Sequence, residues 1–149
     1  MAAEDKGREP AGSVDIQRTL PATAEDVDAM LREIMDALEK NRFPVGDYDE
    51  IRLALREALN NAVKHGSGFN AGKKVHVAVR CNLDDGFWIS IRDEGAGFDP
   101  DQVPNPTEPE NLERFSGRGL FMIRELMDDV KFSDRGREIQ MLRRPRPAG

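Results

Sequence analysis

Residues 74 to 100 read KVHVAVRCNLDDGFWISIRDEGAGFDP. Apolar and polar side chains alternate from Val75 to Cys81, and an apolar run from Phe87 to Ile91 follows an Asp-Asp-Gly at 84–86. Alternation with a period of two predicts half-buried strands, and Asp-Gly between two such runs predicts a tight turn. The stretch therefore predicts a β-hairpin, with an acid and two glycines directly after its second strand.

The segments on either side of this hairpin have the periodicity of further strands and helices. Thr23 and Asp47 are good helix caps, and each is followed three residues later by an acid. The order of elements is segregated rather than strictly alternating, which predicts an antiparallel or mixed sheet covered on one face by helices. The flanking elements are a strand at 14–20, helices at 23–41, 47–66 and 120–127, and a closing hairpin at 130–132 and 138–142. We expect the first of these strands to lie at an edge of the sheet.

The length of 149 residues is that of one compact domain, which we place at residues 14–144. Segments 1–13 and 145–149 are rich in Pro, Gly and charge, so we expect both to be disordered. No apolar run approaches the roughly 20 residues of a membrane span, and the first residues lack the features of a secretory signal. A single cysteine, Cys81, fits a reducing compartment as a small apolar strand residue. We therefore expect a cytoplasmic protein.

The net charge of −6 leaves no basic footprint for nucleic acid, so direct binding to DNA is disfavoured. An anionic nucleotide would have to be bound through local donors or a divalent cation, because the protein as a whole repels it. If the ligand is a nucleotide, the net negative charge of the protein predicts that magnesium binds with it.

Glu57 and Asn61 form a polar stripe on the predicted 47–66 helix, separate from the stripe of apolar residues that would face the core. They are four residues apart, so they stack on one side, well over 90° from the centre of the apolar stripe. The helix alone leaves two readings open. The stripe is either a solvated face or the wall of a cleft, where Asn ligates a hard cation and Glu orients or deprotonates a nucleophile. Asn60 lies off that row and is the weaker candidate ligand.

The acid and glycines after the hairpin are candidates for a base pocket. Asp93 follows the strand, and Gly95 and Gly97 allow a flat ligand to approach the backbone without a Cβ in the way. A carboxylate at that place can accept a hydrogen bond from an exocyclic amine such as that of adenine. Acid and glycine pairs also occur in ordinary turns, so this stretch alone does not decide.

A second glycine stretch, SGRGLFMI at 116–123, precedes a predicted helix. Amides at a helix N-terminus bind phosphate, and Arg114 and Arg118 lie close enough in sequence to reach one. Solvated arginines are an equal alternative. The chain has no P-loop, because no GxxxxGK(S/T) occurs, and no Rossmann fingerprint, because the glycines of GAGFDP do not open a helix directly after a first strand.

Taken in order, EALNNAVKHG, DEGAGFDP and GRGLFMI resemble the N, G1 and G2 boxes of the GHKL ATPase superfamily. Within it, Val14 to Arg144 is similar to the small anti-sigma-factor serine kinases of the RsbW and SpoIIAB type. The resemblance implies the Bergerat ATP-binding fold, an α/β two-layer sandwich with a mixed, mostly antiparallel sheet and helices on one face. It implies ATP with Mg²⁺ as the ligand, and transfer of the γ-phosphoryl group to a serine of an anti-anti-sigma (STAS) partner. The protein would also sequester a sigma factor.

The resemblance also implies a role for each site residue. Asn61 would ligate magnesium, Glu57 would act as general base or orient the attacking hydroxyl, and Asp93 would hold the adenine amine. The remaining roles are a base pocket at Gly95 and Gly97, an ATP lid at 98–116, and contacts toward the phosphates from Arg114, Gly117, Arg118, Gly119 and Leu120.

One position departs from the family pattern: relatives commonly have Thr where this chain has Arg137. The resemblance therefore does not supply a hydroxyl contact near the base pocket. Two alternatives to the kinase remain open, a nucleotide-gated regulator that holds a partner without phosphotransfer, and an ordinary α/β domain with a solvated Glu57 and Asn61. The sequence leaves the oligomeric state open, although relatives form homodimers.

Overall fold

The computed structural model of the chain describes residues 13–66, 72–95, 117–134 and 136–146. Strands and helices follow the order expected from the sequence. The α-helices and strands are β1 Val14–Pro21, α1 Ala24–Asn41, α2 Tyr48–Asn61, β2 Lys74–Asn82, β3 Gly86–Asp93, α3 Gly117–Leu126, β4 Asp129–Ser133 and β5 Glu138–Arg143, and a π-helical turn, Ala62–Gly66, directly follows α2.

The five strands form one sheet in the order β1-β2-β3-β5-β4, and every pairing between them is antiparallel. The hairpin predicted from residues 74–100 is confirmed, with Val79 opposite Ile89 and the turn at 83–85. β1 lies at one edge, as the sequence predicted, and β4 lies at the other. The antiparallel alternative is therefore the correct one for the named strands.

One face of the sheet is buried by the helices, so the molecule has two layers. Val75, Val77 and Val79 on β2 are each at most 2% exposed, whereas the alternating residues on that strand are half-buried or exposed. The buried side chains belong to the same core cluster as those of α1 and α2. The expected α/β two-layer sandwich with helices on one face is thus confirmed.

Two side-chain caps fix where the first helices begin. The Asp26 amide donates to Thr23 Oγ1 at 3.1 Å, and the Asp49 amide donates to Asp47 Oδ1 at 2.8 Å. These bonds satisfy backbone donors that the first turn of a helix leaves without partners. The starts of α1 and α2 are therefore predicted well by local sequence.

Arg143 is a buried arginine whose guanidinium links α2, α3 and the loop before α2 through hydrogen bonds. Its side chain is 2% exposed, and its Nη2 donates to Glu50 Oε1 at 2.6 Å. Nε donates to the carbonyl of Val45 at 2.8 Å, and Nη1 donates to the carbonyl of Leu126 at 2.6 Å. The guanidinium thus joins the beginning of α2 to the end of α3. The Glu50 carboxylate, expected in the cap of α2, is instead the partner of this cation.

The chain after β5 continues along the loop between α1 and α2. The Arg146 amide donates to the carbonyl of Pro44 at 2.6 Å, and Arg146 forms an isolated parallel bridge with Val45. Arg146, which lies in the segment predicted to be a disordered tail, therefore has defined backbone contacts. Residues 147–149 and residues 1–12 lie outside the described part of the chain.

Gly46→Ala is expected to lower the free energy of unfolding by about 1–3 kcal/mol, the usual cost of a strained backbone conformation. Gly46 has a φ of +87°, and a Cβ there would lie 2.7 Å from Arg143 Nη2. Urea denaturation measures the change. Arg42, in the same connection, has a φ of +53°, so Arg42→Gly is the matched control and should leave stability unchanged or raise it. Equal effects of the two substitutions would contradict this account.

Candidate functional site

The C-terminal half of α2 carries the candidate phosphate-side residues. Asn61 is 4% exposed, Glu57 is half-buried, and Asn60 is exposed. The Asn61 amide nitrogen is the only buried side-chain nitrogen or oxygen in the described ranges without a hydrogen-bond partner. Because an unpaired buried donor costs about 1–3 kcal/mol, the Asn61 amide is a candidate for a contact with a bound ligand. The solvated-face alternative is excluded for Asn61.

A change of helix type occurs immediately after Asn61. The sequence predicts one regular helix to Gly66, but the α-helix ends at Asn61 and a π-helical turn covers Ala62–Gly66. That prediction was wrong in the geometry of the last five residues. A π-helical turn widens the backbone and alters the directions in which following side chains point, and such turns occur frequently at functional sites. Nothing in the apolar spacing distinguishes the two helix types here.

Asp93 is the last residue of β3 and is 9% exposed. The Gly95 amide donates to Asp93 Oδ1 at 2.7 Å, and the Asp93 amide donates to the carbonyl of Arg137 at 2.9 Å. Burial raises the pKa of the Asp93 carboxyl. The Gly95 hydrogen bond and the positive charges of Arg137 and Lys73 lower that pKa and oppose the effect of burial. The result is a positioned carboxylate at the end of the central strand.

Packing between elements brings these residues toward one region. The π-helical turn packs against β3, the strand that ends at Asp93, and α2 packs against α3. α3 begins at Gly117, three residues earlier than the sequence predicts, so the second glycine motif forms its first turn. Gly119 is buried, and Leu120 is 4% exposed. Amides in the first turn of a helix have no intrahelical partner, so they are available to an anion.

Several of the predicted site residues lie outside the described part of the chain. They are Gly97, Arg114 and the whole of the proposed ATP lid at 98–116. The side chain of Arg118 is likewise not described, although its backbone belongs to α3. Their roles stay predictions.

Arg137 makes a contact that its local sequence does not predict. Its Nε donates to the carbonyl of Gly95 at 2.8 Å, so its side chain reaches the same turn that positions Asp93. The local pattern, an arginine after a glycine in a hairpin turn, gives no signal of this, because the contact joins residues 42 positions apart. An open cleft of about 550 Å³ lies alongside, lined by His76, Arg92, Asp93, Glu94, Asp134 and Arg137.

Cys81 and His76 are two other side chains on β2 that could carry chemistry. Cys81 is 2% exposed on β2, and burial raises the pKa of its thiol to about 12, so the nucleophilic thiolate is suppressed. His76 lies on the open face of the sheet, where it contacts Thr19 Oγ1 at 3.1 Å and Glu94 Oε2 at 3.2 Å.

A resident metal centre built by the protein alone is not found in the ranges that the structure describes. No three His, Cys, Asp or Glu side chains there are grouped to hold an ion. Asn61 would offer a cation at this site an amide oxygen, which is a hard donor. This donor set fits Mg²⁺, which commonly keeps its waters and is shared with the phosphates of a bound nucleotide.

None of the helices in the described ranges has the length and apolar character needed to cross a membrane.

One protein family and several named relatives match this chain over most of its length. Residues 20–143 match the family described as histidine kinase-like ATPase domain. Relatives named serine-protein kinase RsbW include that of Oceanobacillus iheyensis, 29% identical over 125 residues that cover 80% of this chain and 78% of the relative. The Staphylococcus epidermidis protein is 30% identical over 137 residues, covering 86% and 85%. That of Bacillus velezensis is 30% identical over 127 residues, covering 80% and 78%.

Proposed function

Because the chain belongs to the histidine kinase-like ATPase domain family, we propose that it is an ATP-dependent protein serine kinase and anti-sigma factor. Its substrate would be a serine on an anti-anti-sigma (STAS) partner, and it would also bind a sigma factor. Support comes from relatives named serine-protein kinase that align over more than three quarters of both chains. We assign the kinase domain to residues 14–144 and the protein to the cytoplasm.

One observation carries the proposal: Asn61 is buried at the end of α2 with an amide nitrogen that has no partner among the described residues. A side-chain amide presents an oxygen on one side and two N–H donors on the other. The oxygen suits a hard cation, and an N–H suits a phosphate oxygen. A triphosphate carrying Mg²⁺ offers both partners.

The base of the nucleotide would be held at the end of β3. The Asp93 carboxylate accepts from Gly95 through Oδ1, and no second hydrogen bond to that carboxylate is formed within the described ranges. Its remaining acceptor capacity suits the exocyclic amine of adenine. Burial of the site strengthens such a bond, because water competes less for the two groups.

The phosphates would lie between α2 and the first turn of α3. Amides at Gly117 and Gly119 would face them, and Asn61 would hold the divalent cation. When bound, Mg²⁺ supplies charge neutralisation for the phosphates of a protein that is itself acidic. Arg114 and Arg118 are proposed as further phosphate contacts.

Glu57 would act on the attacking hydroxyl. It lies one turn before Asn61 on the same side of α2, about 6 Å away along the helix axis. The serine oxygen forms a bond to the γ-phosphorus while the bond from that phosphorus to the bridging oxygen breaks, and ADP leaves. Glu57 orients the serine hydroxyl or accepts its proton, so the products are phosphoserine, ADP and one proton. Phosphoryl transfer requires mainly positioning and charge stabilisation, which suits these groups.

Incubation with γ-labelled ATP, Mg²⁺ and candidate STAS proteins tests the proposal. We expect label on a single serine of the STAS protein and none after that serine is replaced by alanine. Binding of ATP and of a sigma factor without any transfer of label would instead indicate a nucleotide-gated binding regulator. Absence of ATP binding would contradict both functions.

Asp93→Asn is expected to weaken ATP binding by about tenfold, because a charge-assisted hydrogen bond becomes a neutral one. The same substitution should leave stability at pH 7 equal to or above that of the wild type. The pKa of Asp93 is raised above its ordinary value of 3.8, so its contribution to stability is greatest below that value and is lost as pH rises through the folded-state pKa. Denaturant melts at pH 4 and pH 7, with ATP titrations, measure both effects. A variant that is less stable at pH 7 but binds ATP normally would contradict the role of Asp93.

A further inference from the structure

Arg137 and the turn Asp93–Gly95, here called the Asp93 turn, are joined by a closed set of three hydrogen bonds. The Asp93 amide donates to the Arg137 carbonyl at 2.9 Å, and Arg137 Nε donates to the Gly95 carbonyl at 2.8 Å. The Gly95 amide donates to Asp93 Oδ1 at 2.7 Å and completes the set. Gly95 is therefore held through its amide by Asp93 and through its carbonyl by Arg137.

Arg137 is itself fixed within the turn between β4 and β5. Its amide donates to the Asp134 carbonyl at 3.1 Å, and its Nη1 lies 3.4 Å from Asp134 Oδ1. The other oxygen of Asp134 pairs with Arg92 Nη2 at 2.8 Å. The Arg137 side chain is 27% exposed, so most of it is buried. Because both its backbone and its guanidinium are restrained, Arg137 can fix the position of the Asp93 turn in addition to acting through its charge.

We propose that Arg137 is a positioning residue for nucleotide recognition. Its guanidinium fixes the Gly95 carbonyl and thereby holds the Asp93 carboxylate ready for the amine of the base. The inference rests on the proposed function, since it assigns Asp93 to the base. The family pattern that the sequence resembles has Thr at this position, so the proposed device would be specific to chains that carry arginine. Threonine has its hydroxyl on Cβ and lacks the extended donor that reaches Gly95.

The charge of Arg137 adds a second, separable effect. Arg137 and Lys73 lower the pKa of the Asp93 carboxyl, while Asp134 raises it. The other charged or titratable groups of the adjoining cleft are His76, Glu94 and Arg92, and Glu94 is paired with His76. Loss of the Arg137 charge should therefore shift the titration of Asp93 to higher pH. Lysine at position 137 would keep the charge without the donor at Nε.

The experiment compares Arg137→Thr and Arg137→Lys with Arg92→Thr as the matched control. Arg92 pairs with the same aspartate and lines the same cleft, but it has no hydrogen bond to the Asp93 turn among the described contacts. Two properties are measured without nucleotide: hydrogen exchange of the Gly95 amide and the carboxyl ¹³C titration of Asp93. Affinities for ATP and for inosine triphosphate, whose base lacks the amine, are measured from pH 6 to 8.

We expect Arg137→Thr to accelerate Gly95 exchange, to raise the titration midpoint of Asp93 and to weaken ATP binding about tenfold at pH 7, a loss of about 1.4 kcal/mol. Inosine triphosphate should lose less affinity than ATP. Arg137→Lys should keep the wild-type midpoint but not the Gly95 protection, and Arg92→Thr should change neither.

Three results would overturn the inference. They are wild-type Gly95 exchange in Arg137→Thr, an unchanged ATP affinity in that variant, and equal losses for ATP and inosine triphosphate, which would indicate general damage. A wild-type protein that binds no ATP would contradict the proposed function itself. The nucleotide-free measurements would then still show whether Arg137 orders the Asp93 turn.

Discussion

Replacement of Glu57 with alanine is expected to lower the rate of phosphotransfer by about 100-fold or more, while the protein stays folded and binds ATP. A positioned general base contributes about 10²–10⁴ in rate, and this contribution is lost with the carboxylate. Glu57 is only half-buried on α2, and the described contacts give it no hydrogen bond on which the fold depends. Single-turnover transfer from labelled ATP to the STAS serine measures the rate, separately from nucleotide affinity.

Two further substitutions sharpen this test. Glu57→Gln keeps the shape and can still orient a hydroxyl, but it cannot accept a proton. A rate close to that of the wild type in Glu57→Gln would assign an orienting role, and a rate close to that of Glu57→Ala would assign the base. Arg56→Ala is the control, since Arg56 is exposed, precedes Glu57 and faces the groove between α1 and α2. Full activity in Glu57→Ala would remove the assigned role.

Asn61→Ala is expected to abolish nucleotide-induced stabilisation with little effect on the free protein. A ligand at about 100 times its dissociation constant raises the free energy of unfolding by about 2.7 kcal/mol. If the substitution weakens binding about 100-fold, the same concentration adds only about 0.4 kcal/mol. The free protein should lose little, because the amide nitrogen that is removed has no partner in the described ranges. Asn61→Asp should lose phosphotransfer as well, since a carboxylate has no N–H to donate.

Asn60 provides the matched control for Asn61. The two residues have the same chemistry and adjacent positions on α2, but Asn60 is exposed and Asn61 is 4% exposed. Thermal unfolding with and without Mg-ATP should therefore separate Asn60→Ala, which behaves as the wild type, from Asn61→Ala. A structural asparagine would give the opposite pattern, in which Asn61→Ala lowers stability of the free protein and retains the ligand-induced shift.

The fold could be predicted from local signals because each signal reports a short-range physical effect. Thr23 and Asp47 satisfy free amides at helix starts, and the alternation around Val77 and Ile89 reports one buried face of a sheet. The apolar residues that recur at helical spacing along α1 are all buried: Val27, Met30, Leu31, Ile34, Met35 and Leu38. Neither cap nor period depends on distant parts of the chain.

The features that local sequence did not predict involve contacts between distant residues. Arg143 binds Glu50, 93 positions away, although an arginine near a basic tail suggests a solvated side chain. Arg137 reaches Gly95 across 42 positions. The π-helical turn after Asn61 keeps the same apolar spacing as an α-helix, so its sequence carries no separate signal. For the site, the sequence identified residue types, whereas burial of Asn61 and the bonds around Asp93 required the tertiary structure.

The most direct test of the central claim is a crystal structure of the protein with Mg²⁺ and a non-hydrolysable ATP analogue. We expect the adenine amine within hydrogen-bonding distance of the Asp93 carboxylate, the phosphates at the first turn of α3, and the cation bound to the Asn61 side chain. Nucleotide bound on the open face of the sheet, or at any place where Asp93 and Asn61 do not contact the same molecule, would contradict the account.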